Sequence, residues 1–141
     1  MPPTGFLALL QRLRAEFAAE VQPLLRARNL APGTLHLLEL VERHPHPTEM
    51  ARELGMPPAT ASRLLKALEA GGYVVRATDP ADLRRYRFQL TPAGTRVRDQ
   101  AVALVQESVE RRLAKLDQAE RVELERLLQR LVAEGDGGSG G

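Results

Sequence analysis

The sequence predicts a mainly α fold of about six helices carrying one small β-hairpin. Three observations carry this. Apolar residues recur at three- and four-residue spacing through most of the 141 residues. The period switches to two only around residues 73–90. Proline, glycine and threonine fall where such helices should begin and end.

Phe6, Leu9, Leu10, Leu13, Phe17, Val21, Leu24 and Leu25 predict a long amphipathic helix from about Gly5 to Arg28, with Pro23 near its end. A second helix is expected from Pro32 to about Arg43. Its near-continuous apolar run implies burial on more than one side. His44-Pro45-His46-Pro47 ends it and reads as a linker. Thr48 is the expected N-cap of a short helix to Leu54, and Gly55 suits the left-handed turn after it. A further helix opens at Pro57-Pro58 and stops at Gly71-Gly72. Tyr73-Val74-Val75 and the alternating Tyr86, Phe88 and Leu90 then predict two strands, with the residues between them, Asp79-Pro80 included, as the loop. Thr91-Pro92 caps and starts a helix to about Lys115, roughly 36 Å long at about 1.5 Å per residue. Asp117 and Glu120 have capping-box spacing and launch a last helix through Glu134. Residues 135–141, GDGGSGG within the final stretch, are expected to be a flexible tail.

Composition bounds the rest. A hydrophobic fraction of 43% with 27% charged residues is that of a soluble globular chain. No run is long and apolar enough for a membrane span, and the start lacks the pattern of an export signal, so a cytoplasmic location is expected. Cysteine is absent, which excludes disulfides, thiolate metal sites and a thiol nucleophile. No cofactor or metal is expected, and no phosphate loop, H-E-x-x-H or nucleophile elbow supports an enzyme.

Charge placement is more informative than the net value of +2. Between Thr60 and Arg87 stand Arg63, Lys66, Arg76, Arg84, Arg85 and Arg87 against Glu69, Asp79 and Asp82. That segment is therefore +3 and the remainder −1. At about 100° per residue, Ala61, Leu64, Leu65 and Leu68 share one side of the helix that begins at Pro58. Ala59, Arg63, Lys66 and Ala70 share the other, with Thr60 and Ser62 flanking it near the N-terminus. Small side chains permit close approach to base edges, Arg63 can bond a guanine in bidentate fashion, and Lys66 can hold a phosphate. The helix N-terminus adds free backbone N–H groups and a partial positive charge for a phosphate. Taken alone, this is also an ordinary amphipathic surface helix. What separates the two readings is the hairpin that follows. Arg84, Arg85 and Arg87 within four residues suit a wing whose tip enters the minor groove, with Asp82 close enough to Arg84 to stiffen it.

Helix, turn, helix and basic wing in this order resemble the MarR family of winged helix-turn-helix transcriptional regulators, over nearly all of residues 5–134. The family's wing motif matches Asp82, Arg84, Phe88, Leu90, Thr91 and Gly94. The resemblance implies a single domain over 1–134. Within it, 32–91 would form the DNA-binding lobe, and 5–31 and 92–134 the helices of a homodimer. It implies Arg84 in the minor groove, oriented by Asp82. Two positions depart from the pattern: Leu83 replaces a usual basic residue, and Pro57 a usual capping Ser or Thr. The family often binds a small, anionic aromatic effector beside the dimer helices, and the implied polar lining here is Arg14, His36 and Arg43. His36, amid apolar residues, suits a packed core histidine better than a ligand contact.

Dimerisation also follows physically. The first and last two helices carry more apolar surface than one thin lobe can cover, and Pro92–Glu134 holds eight bases against eight acids. The expected function is a DNA-binding regulator, a repressor, on a pseudo-palindromic operator. The alternative is a winged-helix dimer used as a protein-interaction module. Steep salt dependence with strong preference for one palindrome would separate them.

Overall fold

The computed structural model describes residues 1–133, which form six helices and a two-stranded antiparallel hairpin. Two compact units divide the chain, one over Met1–Gln106 and the other from Glu107 onward.

In the first unit, α1 spans Pro3–Arg26, started by prolines whose fixed φ suits a first turn. Only its C-terminal half turns residues into the core, through Val21 and Leu25; Leu9, Leu10 and Leu13 stay exposed. α2 spans Thr34–Leu40, shorter at both ends than the apolar run suggested. The stretch through Val41 is buried on several sides, as its composition implied, with Leu37 and Leu38 fully enclosed.

α3, Pro47–Leu54, begins two residues earlier than expected. Thr48 is therefore not its N-cap. Pro47 takes the first helical position and leaves extended His46 as the cap, with no side-chain capping bond. Gly55 ends α3 at φ 62°, where a Cβ would be strained. α4 covers Pro58–Ala70, and its expected inner residues Ala61, Leu64, Leu65 and Leu68 are all buried. Its cap position is Pro57, which makes no side-chain capping bond.

The hairpin departs most from expectation. β1 is Val74–Asp79 and β2 is Asp82–Leu90, so the turn is only Pro80-Ala81. Pairing runs from Val74 opposite Leu90 to Thr78 opposite Tyr86, then slips so that Asp79 faces Asp82. The slip places Leu83, Arg84 and Arg85 outside the paired register, in a bulge on β2. Val74 and Phe88 anchor the hairpin in the core.

α5, Pro92–Leu113, starts as Thr91 and Pro92 required. The Thr91 hydroxyl accepts from the Gly94 N–H at 3.0 Å and donates to the Gly72 carbonyl at 2.6 Å. α5 approaches the Tyr73 backbone so closely that a Cβ on Gly94 would lie 1.9 Å from the Tyr73 carbonyl oxygen. In the second unit, α6 covers Gln118–Val132 and opens with the predicted capping box between Asp117 and Glu120. None of its residues is buried. Glu134 and residues 135–141 lie outside the described residues.

Candidate nucleic-acid interface

α4 offers one continuous outer face. Pro58, Ala59, Ser62, Arg63 and Lys66 are exposed and Thr60 is half-buried, while the opposite residues hold the helix in the core. Among the described residues neither Arg63 nor Lys66 is paired with an acid, so both cations remain available to an anionic partner. In the first turn Pro58 has no N–H and the Thr60 N–H donates to the Pro57 carbonyl at 3.0 Å, which leaves the Ala59 N–H as the one facing outward for an anion.

The wing divides its three arginines among three surroundings. Arg84 stands in the bulge with its side chain 92% exposed, and Asp82 reaches it twice. One Asp82 oxygen accepts from the Arg84 backbone N–H at 3.1 Å and from its Nε at 3.4 Å. Arg85 turns toward α3 and lies 3.7 Å from Glu49. Arg87 is half-buried in a crevice with Glu42, Pro45 and Thr95, of about 350 Å³. Its Nε is buried without a hydrogen-bond partner among the described residues. Arg84 is thus the arginine presented at the tip, and Arg87 is turned into the fold.

Between α4 and the wing lies a polar crevice of about 260 Å³ lined by Ser62, Lys66, Arg76 and Tyr86, with Pro47, Leu65 and Phe88. Arg76 stacks over Tyr86, 4.3 Å from its ring centroid, and meets Glu69 at 3.4 Å. Aromatic stacking fixes the guanidinium plane while leaving its edge free to donate. Arg76 was legible only as part of a charge count; its position in β1 places it beside Lys66.

The hairpin is tied to the α2–α3 linker by three contacts. The Phe88 N–H donates to the Pro45 carbonyl at 2.9 Å. His46 Nε2 lies 3.0 Å from Asp79 Oδ2, and its Nδ1 lies 3.2 Å from the Tyr86 carbonyl. The Ala81 backbone N–H, bonded to Asp79 Oδ1 at 2.8 Å, holds the Asp79 carboxyl below its ordinary value. Burial opposes that shift, and the charges of His46, Arg87 and Arg85 reinforce it.

A separate cavity of about 410 Å³, mostly apolar, lies within the first unit among α1, α2 and α5. Phe17, Val21, Leu25, Leu35 and Val105 make its walls, and Arg14, Gln22, His36 and Glu39 its polar positions. Arg43 is exposed beyond the end of α2 and does not line it. α2 stops at Leu40 and the turn carries Arg43 away.

Residues 29–85 match the MarR family model. Over 123 residues the chain is 31% identical to a protein of Thauera aromatica described as a transcriptional regulatory protein for the hcr operon, covering 83% of this chain and 72% of that one. The chain belongs to the MarR family. Among solved structures, it resembles CouR from Rhodococcus jostii bound to p-coumaroyl-CoA, at 26% identity and TM-score 0.71, covering 92% of this chain and 91% of that one. It also resembles a MarR family protein of Mycobacterium tuberculosis in complex with salicylic acid, at 28% identity and TM-score 0.68, covering 93% and 97%. Escherichia coli MarR in its apo form shares the fold at 21% identity and TM-score 0.74, covering 94% and 98%.

Within this MarR fold, Pro58, Ala59, Thr60, Ser62, Arg63 and Lys66 lie together on α4, and Arg84 and Asp82 together at the wing tip. Arg14 and His36 meet at the cavity, and Arg43 stands apart from it. The sequence marks His46 only as a linker residue. Its partner Asp79 lies 33 residues further along the chain, so no local pattern could disclose the pair.

Proposed function

We propose that this MarR-family transcriptional regulator binds double-stranded DNA as a homodimer, represses from a pseudo-palindromic operator, and is released by a small anionic aromatic ligand. The observation that carries the reading is the pairing of an unpartnered Arg63–Lys66 face on α4 with an Asp82-braced Arg84 at the wing tip. A helix in the major groove and a cation in the minor groove account for both. Lys66, Ser62 and Arg76 flank the crevice between them, where a backbone phosphate would meet two cations. The Ala59 backbone N–H, at the start of α4, is offered to a second phosphate. Arg85 is a peripheral contact, and Arg87 is assigned to support of the wing.

The homodimer is supported by apolar surface left open in each unit: Leu9, Leu10 and Leu13 on α1, and Leu124, Leu127, Leu128 and Leu131 on α6. Two copies related by a twofold axis would meet half-sites about one helical turn apart. The ligand is supported by the apolar cavity, where Arg14 and His36 suit a carboxylate and the walls suit a ring. Relatives of similar fold bind p-coumaroyl-CoA and salicylic acid. No helix of the described residues is long and apolar enough to cross a membrane, which fits the cytoplasmic location proposed for a DNA-binding protein.

Selection of bound fragments from the source genome at physiological salt tests the reading. A shared palindrome, bound with affinity that falls steeply as salt rises, is the expected result. Weak binding without sequence preference would instead favour a protein-interaction module. Salicylate should then lower operator affinity, and more weakly when Arg14 is replaced by Ala.

A further inference from the structure

We propose that His46 is a positioning residue for the wing, its protonation tightening the hairpin; its effect on DNA rests on the function proposed above. Pro45 and Pro47 flank it, and the residue before a proline is confined to extended backbone. His46 obeys, at φ −96° and ψ 133°. The linker therefore aims the ring with little freedom.

Both ring nitrogens meet oxygen: Nε2 the Asp79 carboxylate at 3.0 Å, Nδ1 the Tyr86 carbonyl at 3.2 Å. A neutral imidazole carries one N–H and can satisfy only one of them. The carboxylate is the stronger acceptor, so the neutral ring turns a lone pair toward the Tyr86 carbonyl. An imidazolium donates to both. Asp79 and Tyr86 flank the slip in the ladder, and on β2 Leu83, Arg84 and Arg85 lie between Asp82, which faces Asp79, and Tyr86, which faces Thr78. Holding those two points fixes the base from which Arg84 projects.

The neighbouring charges favour this assignment. Asp79 on β1 attracts the imidazolium, while Arg85 and Arg87 on β2 oppose it. Glu49 on α3 pairs with Arg85 at 3.7 Å and offsets one of these. His44 shares the linker. Asp79, at 3.0 Å, is the nearest charged group to the ring. Asp79 stays ionised throughout the range in which histidine titrates, leaving His46 as the member of the contact that changes charge.

The test begins with the free full-length protein. Backbone amides of residues 78–88 are followed by NMR from about pH 5.5 to pH 8, the range in which histidine side chains titrate, in wild type, H46Q and D79N. In D79N the amide oxygen can still accept the Ala81 N–H. Wild type should show one titration shared by the His46 ring and the wing amides. Protection of the Phe88 N–H against exchange should fall about tenfold as His46 loses its proton, the scale of a charged hydrogen bond. Both variants should lose this coupling, and D79N decides if H46Q fails to fold. On a duplex selected by the wild type from a random pool, H46Q should bind about tenfold weaker near pH 6 and match wild type near pH 8. Wing amides indifferent to the ring's titration, or a pH-independent loss of DNA affinity in H46Q, would overturn the assignment. If wild type binds no duplex, the DNA-binding reading falls, and the amide titration still decides the role of His46.

Discussion

Arg84 and Arg85 are adjacent in sequence, but one is braced outward by Asp82 and the other drawn to Glu49. The difference decides what each substitution should do. Arg84→Ala should weaken DNA binding and lower the salt slope by about one; unchanged affinity at low salt would sink the tip assignment. Arg63→Ala should relax preference at one base position of each half-site, at a cost of about 1–3 kcal/mol measured by competition. A uniform loss across sequences would make Arg63 a phosphate anchor instead. Asp79 yields a prediction in acid. Because its folded-state carboxyl is lowered, its stabilisation is complete above the unfolded value and lost as pH falls through the folded one. The advantage of wild type over D79N in thermal unfolding should therefore stand at about pH 5 and shrink below about pH 4. The sequence disclosed Arg63, Lys66 and Arg84, whose roles follow from local phase and neighbours. It did not disclose His46 or the inward turn of Arg87, which depend on contacts between distant segments.

Elements were legible where their signals are local. The caps at Thr91 and Asp117 and the glycine at 55 each depend on residues within one turn, and each is where the pattern put it. The hairpin was harder to bound. Arg76, Thr78, Leu83 and Arg84 are strand residues exposed to solvent, so half the alternation that marks a strand is missing from their side chains. Thr48 misled for another reason: a proline one residue earlier satisfies the first turn without an N–H, and the helix starts there. The joint between β2 and α5 gives the element-scale prediction. Gly94→Ala would drive a methyl into the Tyr73 carbonyl, so α5 must shift. A loss of at least about 1–3 kcal/mol, seen as a lowered urea midpoint, is expected.

For the whole molecule, the amphipathic pattern of α1 and α6 was read correctly, yet much of each stripe is open in the single chain. Leu127, Leu128 and Leu131 lie on a helix with no buried residue. A cluster of exposed leucines of this kind marks a surface that a partner can cover. The sequence indicated this imbalance because it held more apolar face than one lobe could use. Truncation before Asp117 should yield monomers by sedimentation and abolish high-affinity operator binding. A truncated dimer that still binds would contradict the proposed assembly.

The Thr91–Gly94 joint also governs where the wing can bend. The threonine hydroxyl ties two segments, the Thr91 N–H donates to the Tyr73 carbonyl at 3.1 Å, and Gly94 leaves no room for a methyl. A joint without slack passes torque on and does not absorb it. When the first turn of α5 rotates, Leu90 and the paired part of β2 must follow. Compliance is left to the unpaired stretch from Leu83 to Arg85, so the wing should behave as a stiff arm with a pliant fingertip.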